Sequence, residues 1–283
     1  MITIIESGST KADWLIIDEG KRFQHHTIGF NPFFHSSEFV RRNLENDSFL
    51  ANWFSKSGEI YFYGAGCSST ELQEIIKTGI KSVFKNAEVE VDHDLSAAGL
   101  SVYRGNDVIA CIIGTGSNSV FFDGTILTEV VPALGYILGD EGSGSFFGKQ
   151  MLTDFLYNRL PEKMDSDIRK LELNKDTIFR KVYMQPNANV FLASLSPIII
   201  ANKDLEYSKK LIQKGFDLFL ENHVCCYSNY KEVEVSFVGS IAALLGDELS
   251  QACDRKGIKI GQIIRRPIEA LASYHLNQVS QKN

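Results

Sequence analysis

The chain has 283 residues, 35 of them Asp or Glu and 29 Lys or Arg, for a formal net charge of −6. At 44% apolar and 23% charged residues it sits near the globular average, which excludes a disordered chain. The mild acidity speaks against nucleic acid as a partner. The length asks for two closely packed domains or one large one. No apolar run reaches the roughly 20 residues of a membrane span. The opening Met-Ile-Thr-Ile-Ile-Glu-Ser-Gly-Ser-Thr lacks the basic and apolar regions of a secretory leader, so a soluble cytoplasmic protein is expected, with no membrane partner. Five cysteines (Cys67, Cys111, Cys225, Cys226 and Cys253) without C-x-x-C spacing support neither a disulfide framework nor a thiolate zinc site.

Apolar alternation predicts strands over 3–5, 12–17 and 22–28, with Gly8 and Gly20 in the turns between them, an antiparallel meander. Helical spacing follows over 37–50. A strand is expected at 60–63, a helix over 70–84 opened by Ser68 and Ser69, and a strand at 89–91. The pattern then restarts. Val108 to Ile113 reads as a buried strand, Gly114 to Asn118 as a turn, and 120–123 and 126–131 as returning strands. Helices are expected over 146–160, 166–172, 176–184, 189–201 and 204–226. A strand over 232–238 runs into Gly239, and Ser240 caps a helix over 241–256. A short strand at 258–263 and a helix over 267–277, begun by Pro267, complete the reading. Ile-Ile-Glu-Ser-Gly-Ser-Thr at 4–10 and Ile-Ile-Gly-Thr-Gly-Ser-Asn at 112–118 share one design, an apolar strand running into a hydroxyl-rich glycine turn. Two such hairpins a domain length apart suggest an internal duplication.

These turns carry the candidate chemistry. Ser9, Thr10 and Lys11 follow Gly8, where a tight turn offers amides, hydroxyls and a cation to phosphate oxygens. Thr115 and Gly116 offer the same without the lysine. Neither turn is a G-x-x-x-x-G-K-[ST] loop. Asp94 falls where a strand ends and a small-residue helix begins, a place suited equally to capping and to catalysis. Gly139-Asp140-Glu141-Gly142-Ser143-Gly144 precedes a long helix and suits close approach of a ligand, with Asp140 accepting from its hydroxyls.

Taken in order, these segments resemble the actin-like superfamily of sugar kinases and heat-shock chaperone ATPases. Within it the chain is similar to the N-acetylglucosamine kinase-like group of BadF/BadG ATPases. The resemblance rests on Glu6 to Trp14 as a first phosphate motif, Gly29-Phe30-Asn31-Pro32 as a sugar-side loop, and Asp94. Gly114 to Asn118 matches a second phosphate motif, followed by Gly135 to Ser143, and Phe237-Val-Gly-Ser240 an adenosine motif. It implies an α/β chain of two ribonuclease H-like (actin-like ATPase) domains, mixed sheets flanked by helices, with a cleft between them. Residues 1–112 form the first domain, with a C-terminal helix in 265–283 returning to it, and 113–264 form the second. It also implies ATP and Mg2+ as cofactors, an amino sugar as partner, and a homodimer. Ser9, Thr10, Lys11, Thr115 and Gly116 would face phosphates, and Gly239 and Ser240 adenosine. Asn31, Gly135, Tyr136 and Asp140 would line the sugar pocket. Asp94 would be the general base, and Glu6 would reach the metal indirectly, through water or phosphate. The family has Asp where this chain has Glu6, and the vertebrate-type kinases have Trp where it has Leu134.

The leading expectation is an ATP-dependent kinase of hexosamines such as N-acetylglucosamine. Two alternatives stand beside it. An activator ATPase of the same superfamily would need cysteines at a subunit interface for a shared iron–sulfur cluster. A sugar- or nucleotide-binding sensor without turnover is favoured by Glu6 and Leu134.

Overall fold

The computed structural model describes residues 1–8 and 11–282, the side chains of 279–282 excepted. In chain order the elements begin β1 (Ile2–Ser7), β2 (Lys11–Asp18), β3 (Lys21–Ile28), α1 (Ser37–Glu45), β4 (Gly58–Gly64), α2 (Thr70–Val83), β5 (Ala87–His93) and α3 (Asp94–Val102). They continue with β6 (Val108–Ile113), β7 (Ser117–Phe122), β8 (Leu127–Thr128), α4 (Gly135–Leu138), α5 (Gly144–Leu156), α6 (Glu162–Arg169) and α7 (Lys175–Phe179). Next come α8 (Ala188–Ala193), α9 (Ser196–Ala201), α10 (Glu206–His223), β9 (Glu234–Val238), α11 (Ser240–Leu244), α12 (Gly246–Lys256), β10 (Ile260–Ile264) and α13 (Ile268–Lys282).

The chain divides into two compact units, Met1–Ser101 with Pro267–Asn283, and Val102–Arg266. The division falls ahead of β6 rather than after residue 112, so the whole of that strand belongs to the second unit. In the first unit the strand order is β3-β2-β1-β4-β5. β1 and β2, and β2 and β3, are antiparallel, whereas β1, β4 and β5 run parallel. In the second the order is β8-β7-β6-β9-β10, with β6–β7 and β7–β8 antiparallel and β6, β9 and β10 parallel. Each unit is thus a meander of three strands whose first strand is extended by two parallel ones, the same plan twice. The paired glycine turns in the sequence are its visible trace.

Period-two alternation gives the first sheet two buried faces. Ile5, Trp14, Ile16 and Phe62 pack with Val40 and Leu44 of α1 and Ile76 and Ile80 of α2. Ile4, Leu15, Tyr61 and Tyr63 pack with Ala97 of α3 and Ile268, Leu271 and Ala272 of α13. In the second unit Ile109, Cys111 and Phe237 of the sheet join Phe147 of α5, Phe216 of α10 and Leu249 of α12 in one core. Ser36, Ser69 and Ser143 cap α1, α2 and α5 through their hydroxyls, as a serine ahead of an apolar-periodic run should.

Departures from the sequence reading sit at element ends and have local causes. The helix expected over 37–50 stops at Glu45, and Asp47 then accepts from the amides of Phe49 and Leu50 to start a 3₁₀ turn. The helix expected over 189–201 is two, α8 and α9, with Pro197 in the first turn of the second; its missing N–H cannot continue a preceding helix. The span 176–184 is α7 followed by a π turn at Arg180–Met184. The helix expected over 204–226 ends at His223, so Cys225 and Cys226 lie in turns. The strand expected over 126–131 pairs only at Leu127–Thr128, where it forms the sheet edge and Pro132 lies just beyond. The last helix runs past Asn277 to Lys282.

Candidate functional site

In the first unit the carboxyl ends of the three parallel strands stand side by side, because Ser7 is in register with Gly64 and Gly64 with His93. In parallel α/β sheets this edge is where ligands bind. Three features crowd there. The Gly8 turn closes with a 3.0 Å bond from its amide to the Lys11 carbonyl. The loop after β3 is tied to it by Ser7, whose Oγ accepts from the Phe30 amide at 2.8 Å and donates to the Phe30 carbonyl at 3.2 Å. The loop after β4 is tied by the Ala65 amide, which donates to the Ser7 carbonyl at 3.1 Å.

Asp94, exposed, opens α3 directly after β5. It lies near the loop after β4. Burial pushes the thiol of Cys67 in that loop up to about 12, and the negative charges of Asp94 and Asp92 push the same way. Asn31 is buried, with 7% of its surface exposed. Lys11 is exposed, and its Nζ lies 2.7 Å from Asp13 Oδ1, which also takes His26 Nδ1 at 2.6 Å. Ser9 and Thr10 lie outside the described residues.

Glu6 belongs to a cross-strand row of His26, Asp13, Glu6, Tyr63 and Asp92 on the face covered by α3 and α13. Behind it the Tyr63 hydroxyl meets His275 Nε2 of α13 at 2.8 Å, and the same imidazole stacks on Tyr61 with centroids 3.6 Å apart. Burial moves these groups toward neutrality: Tyr61 up to about 12, Tyr63 higher still, and His275 down to about 4. A cavity of about 280 Å³ opens beside Tyr63, Glu90 and Asp92. Among the described residues no three His, Cys, Asp or Glu side chains are grouped to hold a metal ion. With no such group, the Glu6 carboxylate suits an ion such as Mg2+ that keeps most of its waters and leans on substrate phosphates, and does not suit an all-protein cage.

The second unit repeats the arrangement at the carboxyl ends of β6, β9 and β10. Its hairpin, Gly114 to Gly116, is closed by a 2.9 Å bond from the Gly114 amide to the Gly116 carbonyl. The amino end of α5 docks on it, the Gly144 and Ser145 amides donating to the Gly114 and Thr115 carbonyls at 2.8 and 3.0 Å. Thr115 is exposed. Gly239 holds φ at +127°, and a Cβ there would lie 2.4 Å from the Ile113 carbonyl oxygen; only glycine lets β9 turn this close to the hairpin. Ser240 follows, exposed, at the start of α11.

Asp140 is buried in a left-handed conformation (φ 57°). Its Oδ1 accepts from the Ser117 amide at 3.0 Å and its Oδ2 from the Ser145 hydroxyl at 3.4 Å. Burial raises its pKa against the pull of those bonds. Its two oxygens thus join the end of the hairpin to the start of α5, a duty its sequence position did not reveal. Gly135 and Tyr136 lie on the short α4, held against α5 by Lys149, whose Nζ donates to the Tyr136 carbonyl at 2.7 Å; Leu134 just before them is 55% exposed.

The structure thus brings Glu6, Lys11, Asn31 and Asp94 to one edge of the first unit, and Thr115, Gly116, Gly239, Ser240 and Asp140 to one edge of the second. Sequence reasoning had Ser7 in the first phosphate motif but not its tie to Phe30, and it missed the Gly64-Ala65-Gly66 loop. Two glycines right after a strand were the available signal.

Two mixed five-stranded sheets of one plan, each flanked by helices and carrying a glycine hairpin at its parallel-strand edge, define the actin-like ATPase class of ribonuclease H-like proteins. Comparison with solved structures agrees. A "putative N-acetylglucosamine kinase" from Porphyromonas gingivalis is 34% identical over 99% of this chain and 100% of its own, with a TM-score of 0.93. One of the same description from Chromobacterium violaceum shares the fold at 12% identity and a TM-score of 0.71, over 96% and 98% of the two chains. A ROK family glucokinase from Streptomyces griseus, solved with glucose and AMPPNP, does so at 12% and 0.58, over 96% and 98%. No protein-family model matches the chain and no curated protein does. The chain belongs to the N-acetylglucosamine kinase-like family of actin-like sugar kinases.

Proposed function

We propose that this protein is an ATP-dependent sugar kinase that transfers the γ-phosphate to a hydroxyl of an amino sugar such as N-acetylglucosamine. The observation that carries the reading is the first unit's strand-end edge, where the Gly8 turn after β1, Asp94 after β5 and the Asn31 loop after β3 share one edge of the sheet. β1 and β5 are in register through β4, and the Asn31 loop is tied to β1 by Ser7. A base, a phosphate cradle and a polar pocket at one edge are the parts phosphoryl transfer requires, since it is catalysed by positioning and charge stabilisation.

In this reading Asp94 accepts the proton of the attacking sugar hydroxyl. The sugar oxygen bonds to the γ-phosphorus while the bond to the β–γ bridging oxygen breaks, releasing ADP. Ser9, Thr10 and Lys11 would hold phosphate oxygens, as would Thr115 and Gly116 in the second unit. Gly239 and Ser240 would approach adenosine. Asn31 in the first unit, and Gly135, Tyr136 and Asp140 in the second, would be the residues that contact sugar. Mg2+, reached from Glu6 through water or phosphate, would supply neutralisation of the phosphate charge. The electron-transfer alternative finds no support in the cysteines. Cys67, Cys111 and Cys253 are buried, and burial holds the Cys111 thiol far above its ordinary pKa.

The test is a coupled ADP-release screen over hexoses, hexosamines, N-acetylhexosamines and anhydro sugars with ATP and Mg2+. At least one N-acetylhexosamine is expected to raise ADP release well above the rate with ATP alone. Sugar binding by calorimetry with no sugar-dependent release would refute the kinase and leave a sensor.

A further inference from the structure

The cation of the first hairpin is already engaged. Lys11 opens β2, and its backbone is fixed by the bond from the Gly8 amide to its carbonyl. Only its side chain is left to move. Residues 11 and 13 lie on one face of the strand, and there Lys11 Nζ stands 2.7 Å from Asp13 Oδ1. Asp13 is the cross-strand partner of His26, whose Nδ1 comes to 2.6 Å from the same oxygen. Two groups thus share one carboxylate oxygen. Both are half exposed, whereas the Asp13 side chain is only 18% exposed. Its Oδ1 is closed to water, and neither approach has the alignment of a directed hydrogen bond. Charge holds the ammonium there, and no bond with a preferred angle has to break for it to leave.

This arrangement sets a condition on any phosphate that comes to the turn. The phosphate has to draw Lys11 off Asp13 against the attraction of the carboxylate. When the ammonium goes, a mostly buried carboxylate loses a partner, which is costly unless another remains. His26 is that partner. It is already in contact, from the neighbouring strand, so the exchange needs no movement of the backbone.

We propose that Asp13 is a positioning residue that holds Lys11 while the hairpin is empty, and that His26 keeps the carboxylate partnered when the ammonium moves to phosphate. The inference rests on the kinase reading for the presence of a nucleotide at this hairpin. It adds a limit on how long the nucleotide stays. After transfer, Asp13 competes with the phosphates of ADP for the same ammonium, and its recapture of Lys11 speeds the departure of the product.

The test is calorimetry and stopped-flow release with Mg·ADP on the full chain, alongside sugar-dependent ADP production. Asp13→Asn keeps the shape of the side chain and removes the charge that holds Lys11. The variant is expected to bind ADP about 5-fold more tightly than wild type, the fold-change of one ion pair of this kind, and to release it more slowly. A residue of structural use alone would move the other way, since a damaged strand loosens the site. The gain should shrink in a Lys11→Met background, which has no ammonium to hold. His26→Phe leaves Asp13 with Lys11 alone and should weaken ADP binding about 3-fold. His26→Gln, which still donates, should stay near wild type.

ADP binding that is loosened or unmoved by Asp13→Asn, in a protein that phosphorylates sugar, overturns this proposal and leaves the kinase reading standing. A gain of full size in the Lys11→Met background assigns it to bare repulsion of phosphate and likewise overturns the hold. Tighter binding that depends on Lys11, with no turnover on any sugar, upholds the hold and overturns the kinase. Absence of nucleotide binding by wild type overturns both.

Discussion

His275 offers a direct measure of what burial costs in the first unit. It is 6% exposed, stacks on Tyr61 and meets the Tyr63 hydroxyl, and burial lowers its pKa to about 4. An unfolded histidine titrates near 6.5. Between those values the unfolded chain binds the extra proton, so the unit loses stability as pH falls through that window. From pH 7 to pH 5 the linkage relation gives about 2 kcal/mol for one such group, and partial solvent screening brings this nearer 1 kcal/mol.

Both tryptophans, Trp14 and Trp53, lie in this unit, so urea unfolding followed by their fluorescence reports on it alone. His275→Phe keeps a ring against Tyr61 but takes no proton. It leaves the Tyr63 hydroxyl without its partner, costing about 1–3 kcal/mol at either pH. Wild type should therefore lose about 1 kcal/mol more than the variant on going from pH 7 to pH 5, although the variant is weaker throughout. Equal losses in the two proteins would refute the assignment of a neutral buried imidazole.

Three further outcomes are expected. Asp94→Asn should lower kcat by about 10²–10⁴-fold, the range for loss of a general base, while calorimetry still detects ATP; near-normal turnover would remove Asp94 from the chemistry. Gly239→Ala should destabilise the second unit by about 2–4 kcal/mol, from the φ penalty and the clash with Ile113, and weaken nucleotide binding in the same preparation. An unchanged thermal midpoint would contradict this. Asp140→Asn should stay within about 1 kcal/mol of wild type, since asparagine tolerates positive φ and still accepts from the Ser117 amide, whereas Asp140→Ala should lose about 2–4 kcal/mol. Denaturation midpoints decide between them.

The sequence reading placed the elements and the duplicated plan because those depend on short-range signals. Apolar alternation marked β1 to β7, and the serine before α2 marked its start. The Asp94 junction was legible for the same reason, lying between an alternating strand and a small-residue helix. What escaped depends on contacts distant in sequence. Nothing near Ser7 says that its hydroxyl ties down Phe30, and nothing near Tyr63 points to His275, 212 residues away. The glycines around Asp140 pointed to close approach of a ligand and said nothing of its structural bonds. Its bond to Ser117 appears only once the hairpin and α5 are docked. Helix ends were misjudged where a single group, such as Asp47 or Pro197, overrides a continuing apolar period.

The first sheet is made early but covered late. Ile4, Leu15 and Tyr61 depend for one of their faces on Ile268, Leu271 and Ala272, which leave the ribosome only after the entire second unit. Val102–Arg266 is continuous and holds all of its own core, so it can finish folding first. The growing chain therefore carries an open apolar face through most of its synthesis, and shielding that face is the task this topology leaves to chaperones.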